Sequence, residues 1–185
     1  GRAVAHERRQ QGWEVLAAAR TRTTLDAVTA GDDGIATLAG DARSPEFVAE
    51  VLAAGAARGR VELVVNAITA PPRDQSFGGG PILEAPPDRL ASWLDGFVPM
   101  AWTIQRAAAR ALAESGGGTI VQVAGGSARR AFAGRGPWAA AQFAVRGLTQ
   151  ALAAEMRPRG VHAALLIADG FIETERRPLG DDPPE

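Results

Sequence analysis

"WAAAQFAVRGLTQALAAEMRPRGVHAALLI", residues 138–167, decides the fold class. Its first part, residues 138–157, repeats apolar side chains at helical spacing and is the longest such pattern in the chain. Its second part, residues 161–167, is a short apolar run that suits a buried strand. A long helix feeding a buried strand is the repeating unit of a layered α/β sheet. Upstream, "VELVVNAITA" (residues 61–70) is a near-continuous β-branched run, as expected for a parallel strand covered on both faces.

Working outward, residues 2–11 predict a charged amphipathic helix closed by Gly12. "WEVLAAA" (13–19) and "GIATLAGD" (34–41) predict short strands, with a helix over residues 21–29 between them. Ser44-Pro45-Glu46 opens another helix, with Ser44 as N-cap and Pro45 at the first helical position, running to about residue 57. Residues 71–81 are a loop rich in Gly and Pro. Residues 87–114 are helical in pattern, with Pro99 forcing a break or kink. "GGGTIVQVAGGS" (116–127) reads as turn, strand, turn, and the terminal "LGDDPPE" as unstructured. Strands alternating with helices predict a Rossmann-type doubly wound parallel sheet in three α/β/α layers, with right-handed crossovers. No repeat of solenoid period is visible.

Composition narrows the function. A chain of 185 residues suits one domain, and a net charge of −1 gives no electrostatic reason to bind nucleic acid or an anionic membrane. No apolar run reaches transmembrane length, and the start carries no signal-peptide pattern. The lack of Cys excludes disulfides and thiolate zinc sites and fits a reducing cytoplasm. All 20 basic residues are Arg, and the chain has neither Lys nor Tyr. No step can therefore use a phenolic proton donor or a lysine ammonium from these residues. The Ala, Gly and Arg bias suggests a GC-rich bacterial gene.

The order of these segments resembles the short-chain dehydrogenase/reductase family over essentially the whole chain. "GRAVAHERRQQGWEVLAAAR" resembles the family's first helix and second strand, with Arg20 after it. "GDAR" resembles the turn after the third strand, and "VVNAI" stands where the family has Asn-Asn-Ala-Gly, keeping Asn66 and Ala67. "GGTIVQVAGGS" resembles the fifth strand and "FAVRGLTQALAAEM" the sixth helix. "DGFIET" resembles the Pro-Gly-x-x-x-Thr loop, with Asp169 in place of Pro.

The resemblance implies a nicotinamide dinucleotide lying across the carboxyl ends of the strands, with its pyrophosphate at a helix N-terminus. Gly1 matches the last glycine of the family's Gly-rich turn, so residues 1–185 are expected to be a partial NAD(P)-binding domain. On that expectation the family's first strand, which lies between its second and fourth, and its last helix and strand fall outside the chain. The implied cofactor-binding residues are Gly1, Arg20, Asp41, Asn66, Ala67, Gln142, Gly170 and Thr174. Ala19 and Arg20, where an acidic residue would select the unphosphorylated cofactor, favour NADP(H) over NAD(H). Asn66 reads equally as a strand-end backbone partner, and Thr174 as a helix N-cap.

The family's catalytic set departs most. In the family a Tyr handles the proton and a Lys four residues on lowers its pKa. A Ser orients the substrate oxygen and an Asn positions a water. Those positions here are Trp138, Gln142, Gly125 and Gly96. A phenol titrates near ~10 and needs a nearby cation to act near neutrality. Indole, carboxamide and glycine cannot take over those roles. Among possible substitutes, Ser127 reads first as a turn residue and second as a substrate-orienting hydroxyl. His162 reads as a half-buried or edge residue. Asp169, at a strand's carboxyl end, reads as a loop-bracing Asx turn or as an acid–base group. The aromatic residue at 138, with Asp-Gly for Pro-Gly, resembles a divergent branch of the family.

Three readings follow. One is a dinucleotide-binding protein with weak or no carbonyl reductase activity. A second is a working NADP-dependent oxidoreductase on a small carbonyl or hydroxyl substrate, with an unusual proton source. The third is a cofactor-independent oligomerisation partner, a homodimer or homotetramer through the long helices. No metal site, nucleic acid or membrane partner is expected.

Overall fold

A computed structural model describes residues 1–68 and 77–170. The elements, in chain order, are α1 (Arg2–Gln10), β1 (Val15–Ala19), α2 (Arg22–Thr29), β2 (Ile35–Ala39), α3 (Pro45–Ala56), β3 (Leu63–Asn66), α4 (Arg89–Glu114), β4 (Gly118–Gly125), α5 (Gly136–Met156) and β5 (Val161–Ala168). Short 3₁₀ turns follow β4 and α5. Every ladder is parallel: β1 pairs with β2, and β3–β4–β5 run side by side. The expected α/β alternation is therefore present. No ladder joins β1 to β3 among the described residues, and this seam is where the family arrangement puts its first strand.

Local chemistry sets most boundaries. Ser44 caps α3, its hydroxyl accepting from the Phe47 N–H at 3.2 Å, with Pro45 at the first turn. Thr21 does the same for α2 through the Thr24 N–H. β1 begins at Val15 rather than at residue 13 because the Trp13 N–H closes α1, donating to the Arg8 carbonyl at 3.0 Å. β3 stops at Asn66 rather than at residue 70. The Asn66 side-chain oxygen takes the Ile68 N–H at 3.2 Å and turns the chain out of the ladder. Pro99 does not divide the helix that contains it; α4 is continuous through it.

α4 and α5 pack along each other and against β3, β4 and β5. One end of this layer is an aromatic-rich cluster of Val48, Trp93, Phe97, Met100, Ile104, Trp138 and Val145. The other is aliphatic, built on Leu112, Ile120, Met156 and Val161. Alternation on β4 turns Ile120, Gln122 and Ala124 inward. Thr119, Val121 and Val123, on the opposite face, are half-buried, and His162 on β5 is exposed. α1 and α2 pack against β1, and α3 bridges β1 and α4. No helix among the described residues is long and apolar enough to cross a membrane.

Candidate functional site

Parallel strands present their carboxyl ends on one rim, and the turns leaving those ends carry most of the residues singled out above. At the ends of β1 and β2 stand Arg20, exposed, and Asp41. Asp41 is gripped by Arg43, whose Nε lies 2.9 Å from Oδ2 and whose backbone N–H donates to Oδ1 at 3.0 Å. The Arg43 guanidinium first, and then its backbone N–H, hold the Asp41 carboxyl at about 2, with a smaller contribution from the charge of Arg20. Arg20 and Asp41 thus share one local field. Gly1 caps the start of α1 beside the turn after β3: a Cβ placed on it would lie 4.0 Å from the Ala67 Cβ.

Asn66 is turned inward. Buried, it donates from Nδ2 to Gln122 Oε1 at 2.9 Å. The same oxygen accepts from Gln105 Nε2 at 3.2 Å, and Gln105 Nε2 also donates to Thr149 Oγ1 at 3.0 Å. Thr149 in turn donates to the Val145 carbonyl at 2.8 Å. A chain of buried amides therefore ties the turn after β3 to β4, α4 and α5. Each link satisfies a polar group that would otherwise be costly to bury. Gln105 and Gln122 were not anticipated from the sequence. The available signal was a polar residue at each of two positions whose spacing belongs to an apolar stripe.

Of the four positions matched to the family's catalytic set, Gly125 ends β4, Trp138 and Gln142 lie in the first turns of α5, and Gly96 lies on α4. Trp138 is 5 % exposed, and its ring packs at centroid distances of 5.2 Å from Trp93, 5.4 Å from Phe97 and 6.0 Å from Phe77. Gln142, one turn on, is fully buried, and its Oε1 accepts the Gly125 N–H at 3.1 Å. The positions matched above to the family's Lys and Ser are here fastened to each other. Gln142 Nε2 and Trp93 Nε1 are buried donors without a partner among the described residues. Ser127 is buried in the 3₁₀ turn that follows.

Asp169 faces this turn and forms an ion pair with Arg129 at 3.4 Å. Its carboxylate fills the space a Cβ would need on Gly126, which accounts for glycine there. The backbone an Asx turn would engage lies outside the described residues, as does Thr174; Gly170 is exposed at the end of β5. No group of three His, Asp or Glu among the described residues could hold a metal ion.

Comparison with known proteins agrees with the fold. A family model described as enoyl-(acyl carrier protein) reductase matches residues 1–180. Among solved structures, a short-chain dehydrogenase from Streptomyces avermitilis is 27% identical over 97% of this chain and 64% of its own, with a TM-score of 0.77. One from Rhodopseudomonas palustris is 24% identical over 90% and 77%, with a TM-score of 0.75. An ElxO variant with NADPH bound superposes with a TM-score of 0.81 at 19% identity, covering 95% of this chain and 71% of that one. The chain thus spans about two thirds to three quarters of the length of these proteins. No curated protein matches the sequence.

Proposed function

Because the chain belongs to the short-chain dehydrogenase/reductase family, we propose that it is part of a nicotinamide-dinucleotide-binding protein whose carbonyl reductase chemistry is weak or lost. The observation that carries this reading is the state of the positions where the family handles a proton. Trp138 is packed as a core residue against Trp93 and Phe97, and Gln142 spends its oxygen on the Gly125 N–H. Loss of a positioned acid–base group lowers rates about a hundred- to ten-thousandfold.

The residues present fit the dinucleotide. Arg20 is exposed at a strand end, where a 2′-phosphate would meet a guanidinium that has no carboxylate within ion-pair distance among the described residues. Gln142 Nε2 is a buried donor still to be satisfied. In this reading Arg20, Asp41, Asn66, Ala67 and Gly1 hold the cofactor, NADP(H) before NAD(H), and Gln142 contributes a hydrogen bond. The Asn66 side chain, already engaged with Gln122 and the Ile68 N–H, acts by fixing the backbone turn. When bound, the dinucleotide supplies a hydride. The protein is read as cytoplasmic, and residues 1–185 as one partial dinucleotide-binding domain.

Restoring the family's pair tests this. Trp138→Tyr with Gln142→Lys in the full-length protein should raise NADPH-dependent carbonyl reduction by at least tenfold over an almost inactive parent. Substantial parental turnover that the double variant leaves unchanged would mean a different mechanism. Asp169, beside Gly126, is the group such a mechanism would use, and Asp169→Asn would then abolish it. A groove of about 630 Å³ between the outer faces of α4 and α5, lined by Trp102, Ala109, Leu148 and Leu152, supports self-association through the long helices. Light scattering measures it.

A further inference from the structure

Residues 77–83 form a strap fastened to the start of α5. The Gly80 N–H donates to the Gly134 carbonyl at 3.1 Å, and the Trp138 N–H to the Gly78 carbonyl at 3.3 Å. The approach is close: at Gly79, φ +93°, a Cβ would lie 2.7 Å from Pro137. The strap nonetheless leaves large apolar side chains in water: Phe77 is 61 % exposed, Ile82 79 % and Leu83 99 %. Ile82 lies against the start of α5, 3.0 Å from where a Gly136 Cβ would sit. Three such residues within one short strap make an apolar ledge that faces water.

The ledge ends in two cations. The Arg135 guanidinium lies 5.3 Å from the Phe77 ring centroid and 5.5 Å from that of Phe132. Arg130 lies 4.9 Å from the same Phe132 ring. Sharing one ring keeps the two guanidiniums within about 10 Å of each other. Ring faces hold cations but do not neutralise them. Neither Arg130 nor Arg135 has a carboxylate partner among the described residues; the nearby Asp169 is engaged by Arg129. Phe77 links the ledge to the candidate site, its ring centroid 6.0 Å from that of Trp138 and 6.4 Å from that of Trp93.

We propose that this ledge binds a small amphiphile, an acyl chain ending in a carboxylate, with its apolar part along Phe77, Ile82 and Leu83 and its head held by Arg130 and Arg135. Guanidinium forks bind carboxylates as charge-assisted pairs. Two cations on one ring form a local pair rather than the spread of cations that a lipid surface draws on. The inference goes beyond the dinucleotide reading and assigns a ligand class to the surface beside Trp138.

Calorimetric titration of the full-length protein with octanoate and with 1-octanol tests it, alongside NADPH titration of the same samples. Octanoate should bind at least tenfold more tightly than octanol. Arg130→Gln with Arg135→Gln should weaken octanoate at least tenfold and leave NADPH binding unchanged. Equal affinity for octanoate and octanol, or a double variant that binds octanoate like the parent, would overturn the proposal. So would binding confined to phosphatidylglycerol vesicles, or a dimer that Leu83→Ser dissolves, because another occupant would then cover the ledge. Octanoate binding without NADPH binding would uphold the ledge and remove the dinucleotide reading alone.

Discussion

At the carboxyl ends of β1 and β2 the chain keeps exposed charge: Arg20, Asp41 and Arg43 share one field. Around the end of β4 and the start of α5, Trp138 and Gln142 are buried. There Trp138 is packed among rings, and Gln142 Oε1 accepts the Gly125 N–H. The first region has the chemistry to hold a charged, hydrated ligand. The second has the packing to be stable and no group at positions 96, 125, 138 or 142 that can exchange a proton near neutrality. Holding a dinucleotide and handling a proton draw on residue sets that share only position 142, so the first can persist without the second.

The largest effect should come from the packed region. Trp138→Ala removes a ring from the aromatic cluster and should cost about 3–5 kcal/mol of stability, read by denaturant unfolding. A cost below ~1 kcal/mol would mean the residue is not part of the core and would blur the contrast. Next, Gln122→Leu leaves Asn66 Nδ2 without an acceptor and removes one of the two acceptors of Gln105 Nε2. It should cost about 1–3 kcal/mol. It should also weaken NADPH binding, because Asn66 no longer fixes the turn beside Ala67. Intact affinity would detach the buried amide chain from the ligand rim.

Effects at the charged rim should be smaller and selective. Arg20→Glu should weaken NADPH about tenfold, ~1.4 kcal/mol, while leaving NADH within twofold; equal losses for both would show that Arg20 does not read the 2′-phosphate. Smallest is the acid response of Asp41. Its carboxyl is held at about 2, below its ordinary 3.8. Its ionised form therefore adds stability fully present above about pH 4 and lost as pH falls through 2. The pair is exposed, so the gain is a fraction of a kcal/mol. Asp41→Asn should flatten that part of the stability profile and lose the same fraction of a kcal/mol at neutral pH.

The fold was legible because its signals are local. Ser44-Pro45 marks a helix start, and the β-branched run at 61–66 and the apolar residues of 161–167 mark strands whatever they pack against. Boundaries were less so, because they turn on single hydrogen bonds: Trp13 to Arg8 delays β1, and Asn66 to Ile68 ends β3 early. At the site, the resemblance pointed to Trp138, Gln142, Gly125 and Gly96 but carried no information on where the Trp138 and Gln142 side chains would turn. The links from Asn66 to Gln122, and from Gln122 to Gln105, span 56 and 17 residues. Pairings of that range appear only once the layers are assembled. The same holds for Arg135 over Phe77 and for Asp169 with Arg129.

NADPH fluorescence, followed first during titration of the full-length protein and then after addition of carbonyl substrates, tests the central claim most directly. Saturable binding followed by a steady signal, with no cofactor consumed, is the expected result. Failure to bind, or rapid oxidation of NADPH by the unaltered protein, would contradict it.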